Sequence, residues 1–119
     1  PLGRFTLPPG ETPQLWMARF TGIVPFRAML QAWERQERRP RVHLLYSVEG
    51  EEAAPYWDEL QHAAERHTGF TAEMLPADAG RAVDTVVDAW SRLPVSPLPG
   101  NTIPLICGKR EFVRPLREA

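Results

Sequence analysis

Leu15-Trp16-Met17-Ala18-Arg19-Phe20-Thr21-Gly22-Ile23-Val24-Pro25-Phe26-Arg27-Ala28-Met29-Leu30 is the stretch that decides the fold. It begins with a short apolar run, Leu15 to Ala18, about the length of a buried strand. It then changes period: Phe26, Met29, Leu30 and Trp33 recur at i, i+3, i+4 and i+7, the apolar face of a helix. Between the two lies Thr21-Gly22, and Pro25 suits a first helical position, where a missing N–H costs nothing. Strand, tight glycine turn and helix start together gather free backbone N–H groups and the positive end of a helix around an anion.

Working outward, strand-like and helix-like segments alternate. A strand over Gln14–Ala18 leads to a helix over Pro25–Glu37, and Val42–Val48 is a second, mostly apolar strand, as expected of one covered on both faces. A helix is expected over Glu51–His67, with Trp57, Leu60, Ala64 and His67 on one stripe and Gly69 as its stop. Phe70–Leu75 reads as a third strand, and Val83, Val86, Val87 and Trp90 form the inward stripe of the next helix. Leu93 to Gly100 is a proline-rich loop. Thr102–Cys107 is the fourth strand, in which Pro104 argues that the early part is not fully paired. A last helix starts near Arg110, with Phe112, Val113 and Leu116 inward. Repeated β-α units imply an α/β fold, a parallel four- to five-stranded sheet flanked by helices. A switch point between the first and fourth strands gives the order 3-2-1-4 and places ligands at the carboxyl ends of the strands.

Composition narrows the function classes. At 119 residues the length is that of one domain, and a net charge of −1 supplies no electrostatic reason to expect nucleic acid as a partner. No apolar run approaches the ~20 residues of a membrane span, and no secretory signal is evident, so a cytoplasmic location is the default expectation. One cysteine excludes an internal disulfide. His62 and His67 diverge around a helix and His43 stands alone in a strand, so no metal site is expected. The four tryptophans fall on apolar faces and read as core.

Arg19-Phe20-Thr21-Gly22-Ile23-Val24-Pro25-Phe26-Arg27 resembles the pyridine-nucleotide site of the ferredoxin–NADP reductase family of flavoenzymes, whose pattern there is roughly Gly-Gly-Thr-Gly-Ile-x-Pro-[Phe/Leu]-Arg. The match is close from Thr21 to Arg27, while Arg19 and Phe20 replace the two leading glycines. Ile106-Cys107-Gly108-Lys109 resembles the family's Cys-Gly-Pro, with Lys109 in place of the proline. The resemblance implies a Rossmann-like domain that positions NADH or NADPH for hydride transfer to FAD. It implies cofactor-binding roles for Thr21, Gly22, Ile23, Pro25, Ser47, Glu49, Cys107 and Gly108. Cys107 would lie beside the nicotinamide. It further implies that residues 1–13 are the end of a flavin-binding barrel and a linker, and that 14–119 is the NAD(P)-binding domain, truncated at its C-terminus. The expected partners are that flavin-binding domain in the parent chain and an iron–sulfur or haem electron acceptor; the chain alone is not expected to bind FAD or to be active.

Each site residue also has a plainer reading. Cys107 can be a buried small hydrophobe. Ser47-Val48-Glu49, where the family often has Ser-x-Arg, sets a carboxylate at the end of the second strand. That favours the ribose hydroxyls of NADH over a 2′-phosphate, but an acidic loop opening a helix has the same composition. Phe20 is the sharpest departure, because glycine there lets the backbone approach a diphosphate without a Cβ in the way. Losing one or two charged backbone hydrogen bonds removes roughly 1.5–3 kcal/mol each, so weak binding is expected, with Arg19 partly compensating through its guanidinium. The competing function is a degenerate nucleotide fold that serves as a structural or interaction module.

Overall fold

The computed structural model describes residues 10–50, 54–78, 80–93 and 102–118. The barrel strand expected before residue 10, the acidic pair Glu51-Glu52 and nearly all of the proline-rich loop lie outside the described residues. Among these residues four strands, β1 (Gln14–Arg19), β2 (Val42–Val48), β3 (Phe70–Pro76) and β4 (Ile103–Cys107), alternate with four helices, α1 (Ile23–Glu34), α2 (Trp57–Arg66), α3 (Ala82–Ser91) and α4 (Arg110–Glu118). The sheet is parallel in the order β3-β2-β1-β4, as the switch-point argument requires.

β1 is buried at all six positions, which is what a central strand covered on both faces demands of its side chains. Trp16 and Ala18 point to one face with Leu44, Tyr46 and Phe70, where α1 supplies Phe26, Leu30 and Trp33 and α2 supplies Leu60 and Ala63. The Trp16 and Phe26 rings stack with centroids 5.2 Å apart. Leu15 and Met17 point to the other face with Leu45 and Leu75, under Val86 and Ala89 of α3 and Phe112 and Leu116 of α4. The indole N–H groups of the two buried tryptophans are satisfied: Trp16 donates to Gln14 Oε1 at 2.9 Å and Trp33 to the Pro40 carbonyl at 2.7 Å.

Several boundaries differ from the sequence expectation. A short 3-10 turn, Phe20–Gly22, carries the chain straight from β1 into α1, so the helix begins at Ile23 and Pro25 is its third residue. A proline is accommodated there because the first turn's N–H groups have no intrahelical acceptor. The same helix ends at Glu34, three residues short of expectation. α2 begins only at Trp57, after Pro55 and a left-handed Tyr56 at φ 63°. The stripe of α3 is rotated. Ala82, Val86 and Ala89 are buried while Val87 stands 37% exposed, because small residues let the helix lie close to the sheet. β4 is paired from its first residue: Ile103 N–H donates to the Pro13 carbonyl at 2.8 Å. Pro104 is harmless because alternate residues face β1 with their N–H, which turns the proline nitrogen away from β1.

A candidate nucleotide site at the carboxyl edge of the sheet

Register alone brings the expected site residues together. Ala18 pairs with Cys107 and Arg19 with Ser47, so β1, β2 and β4 end side by side. Gly22 completes the convergence. It packs against the end of β4 so tightly that a Cβ on it would lie 2.3 Å from the Cys107 carbonyl oxygen and 3.0 Å from the Gly108 nitrogen. Its backbone is ordinary, with φ −61°, so the requirement for glycine here is space and not conformation.

The turn leaves an open helix end. No side chain caps α1, and its first turn holds no acidic residue. Ile23 is buried, Pro25 half-buried, and Thr21 exposed at the mouth of the site. Phe20 adopts φ 51°, the left-handed conformation that glycine takes freely and an L-residue takes at a cost. The backbone thus follows a path open to glycine, and the substitution is carried as local strain.

Arg19, expected to compensate in part for the missing glycines, has a definite setting in the structure. It is 8% exposed. Its Nη1 donates to Ser47 Oγ at 2.9 Å and to the Ala77 carbonyl at 3.3 Å, and the guanidinium lies 4.5 Å from the centroid of the Phe20 ring. Ser47 itself is completely buried. Among the described residues its hydroxyl meets the Arg19 guanidinium. Glu49, two residues on, is exposed. Cys107 is half-buried, and burial pushes its thiol pKa above the ordinary range, a backbone hydrogen bond at Gly108 working in the opposite direction. It is therefore a neutral thiol at physiological pH, a compact, weakly polar surface for an aromatic ring.

On the α1/α2 side Arg27 pairs with Glu59 through Nε and Nη2 at 2.8 and 3.1 Å and lies 4.5 Å over the Tyr56 ring. Tyr46 donates to the Pro55 carbonyl at 3.1 Å, and its own pKa is pushed up to about 12 by burial, with Tyr56 adding to the effect. These contacts tie Pro55 and Tyr56, just before α2, to β2 and α1. Tyr56 falls in the family-like stretch Pro55-Tyr56-Trp57-Asp58-Glu59-Leu60, but its left-handed backbone depends on the tertiary path. Among the described residues no group of three His, Cys, Asp or Glu side chains is placed to hold a metal ion, and no helix is long and apolar enough to cross a membrane.

The sequence from 20 to 118 matches the family described as "Oxidoreductase NAD-binding domain". The chain belongs to this family. Among curated proteins, none matches the sequence. The fold of this NAD-binding domain is shared with ferredoxin–NADP+ reductase from Plasmodium falciparum, at a TM-score of 0.77 and 14% identity over 91% of this chain and 46% of that one. It is shared also with the cytochrome b5 reductase domain of Ulva prolifera nitrate reductase, at 0.67 and 16% identity over 92% and 45% of the two chains. A third is a flavohemoglobin from Malassezia yamatoensis with bound FAD and heme, at 0.65 and 20% identity over 94% and 29%. The NAD-binding domain described here thus spans less than half the length of each of these chains.

Proposed function

We propose that the domain binds NADH at the carboxyl edge of its sheet and presents the nicotinamide to a flavin held by a separate flavin-binding domain of a parent reductase. The contact between Gly22 and Cys107 carries this reading, because it joins an uncapped helix start to a neutral thiol at one switch point. The chemistry such a coenzyme would supply there is hydride transfer to FAD, from which the electrons would pass to an iron–sulfur or haem protein. The chain's own residues do simpler work. The Thr21-Gly22 turn offers N–H groups to phosphate oxygens, and Cys107 and Gly108 shape the floor for the nicotinamide. The exposed Glu49 accepts from ribose hydroxyls and repels a 2′-phosphate, which favours NADH over NADPH.

The residues present fit such a group: α1 has no acidic residue in its first turn, and no carboxylate among the described residues pairs with Arg19. The second reading, a domain that keeps the fold without the coenzyme, draws on the burial of Ser47 and on Phe20 standing in place of glycine. Titration of the chain with NADH and NADPH, followed by amide chemical shifts, separates the two. Binding predicts saturable shifts at Thr21, Gly22, Cys107 and Gly108 with a dissociation constant near millimolar, roughly −4 kcal/mol. No shift at ten times that concentration overturns the proposal in favour of the second reading.

A further inference from the structure

We infer that Arg19 is the principal phosphate-binding group of this site, taking the place of the close backbone approach that glycines would allow; the inference rests on the nucleotide reading above. The guanidinium carries a positive charge on a planar fork of N–H donors. At 8% exposure it has lost most of its water, yet among the described residues it meets only neutral acceptors, Ser47 Oγ and the Ala77 carbonyl. Both bonds use Nη1, and no described acceptor takes the Nε and Nη2 protons. A cation so held is an incomplete arrangement: removing charge from water is compensated when a counter-charge is supplied, and none of the described carboxylates lies within 4.0 Å of it. Two parallel N–H groups with a fixed fork match two oxygens of a phosphate, a geometry in which arginine excels and lysine does not.

Position supports the same assignment. Arg19 is the last residue of β1, beside the open start of α1, and a Cβ on Gly108 would stand 3.6 Å from the Arg19 Cβ. Three independent devices hold the side chain in place: the Ser47 hydroxyl, the Ala77 carbonyl and the Phe20 ring beneath the guanidinium. Ser47 then acts as a positioning residue, orienting the guanidinium and touching no ligand itself. The group recognised is a phosphate or diphosphate common to NADH and NADPH, so Arg19 raises affinity for both and leaves the choice between them to Glu49.

The test uses the 119-residue chain, inorganic pyrophosphate and NADH as probes, and three variants. Arg19→Met keeps the length of the side chain and removes the fork. It should weaken both probes by roughly ten- to a hundredfold, the equivalent of one or two charge-assisted hydrogen bonds, and should flatten the dependence of binding on salt. Arg19→Lys should recover only part of the loss, and Ser47→Ala should weaken binding by a few-fold while leaving its salt dependence intact. Thermal melts identify any variant that fails to fold; if Arg19→Met does, the Lys and Ala variants carry the decision. Unchanged affinities in folded variants, with only the melting temperature lowered, would show that Arg19 merely straps the β3–α3 connection to the sheet. Binding of pyrophosphate without NADH would refute the coenzyme reading and leave the role of Arg19 standing. A wild-type chain that binds neither probe refutes both.

Discussion

Gly22 and Cys107 are in direct backbone contact, the α-carbon of the one set against the carbonyl of the other so closely that a methyl group between them would sit 2.3 Å from the oxygen. The contact joins the first β-α turn to the end of the fourth strand. Both elements of the proposed nucleotide site therefore depend on one glycine.

Gly22→Ala is accordingly expected to destabilise the domain by roughly 1–3 kcal/mol, the usual range for forcing a methyl into a packed core, and to weaken coenzyme binding with it. The opposing atom is backbone, so it cannot swing aside. Gly69→Ala is the matched control, since its Cβ would meet the Trp33 ring at an ordinary 3.4 Å. Urea melts of both variants decide the matter. Equal stability of the two would mean that β4 shifts freely, and that the junction is not rigid.

The thiol of Cys107 gives a pH-dependent readout. Burial raises its pKa, so the folded state favours the neutral form. Alkylation by iodoacetamide should be slow at pH 7, should rise only above the range of an ordinary thiol, and should slow further on addition of NADH. The sign for stability follows. The contribution of the neutral buried thiol is intact below the pKa of the unfolded chain and is lost as pH rises toward the folded value. A reactivity midpoint below that of free cysteine would contradict the assignment of a neutral thiol.

Coenzyme choice is predicted to rest on Glu49. The residue is exposed, so reversing its charge is a modest electrostatic change, of about 1 kcal/mol or a factor of roughly five. Glu49→Arg should move the ratio of NADH to NADPH affinity by that factor toward NADPH, more at low salt than at high. A ratio that does not move would place the 2′-position of the ribose out of reach of residue 49.

Much of this fold is legible in the sequence. The apolar run Leu15 to Ala18, the helical period of Phe26, Met29, Leu30 and Trp33, and the alternation of the later segments suffice for a parallel sheet in the order 3-2-1-4. They suffice because burial on both faces leaves few choices for a central strand. Val87 was misplaced because a count of large apolar residues overlooks Ala82 and Ala89, whose small size is what lets α3 approach the sheet. The helix start at Trp57 was missed because Tyr56 turns left-handed through its tertiary setting. Ser47 was legible as a residue at the edge of the sheet. Its concealment beneath Arg19 was not, because that arrangement joins β1, β2 and the end of β3 across 28 and 58 residues of sequence.

The replacement of glycine by Phe20 leads to the most discriminating prediction. Two different obstacles to binding are conceivable, a displaced backbone and an intruding ring. The structure separates them, because Phe20 already holds φ 51° and the chain runs on into the turn and α1. The ring, half-buried beneath the Arg19 guanidinium, is then the feature that distinguishes this site from one built on glycine. Phe20→Gly and Phe20→Ala should therefore both tighten NADH binding, by about tenfold, if one charged backbone hydrogen bond is regained while Arg19, still held by Ser47 Oγ and the Ala77 carbonyl, keeps its place. Their stabilities should diverge instead. Glycine relieves roughly 1 kcal/mol of left-handed strain and gives up a similar amount in chain entropy and in the stacked guanidinium, for a net change near zero. Alanine keeps the strain and loses the stack, and should be less stable than wild type by roughly 0.5–1 kcal/mol. Calorimetric titration and urea melts on the three forms check both halves. Tightening by glycine alone would return the fault to the backbone, and tightening by neither would remove Phe20 from the account of weak binding.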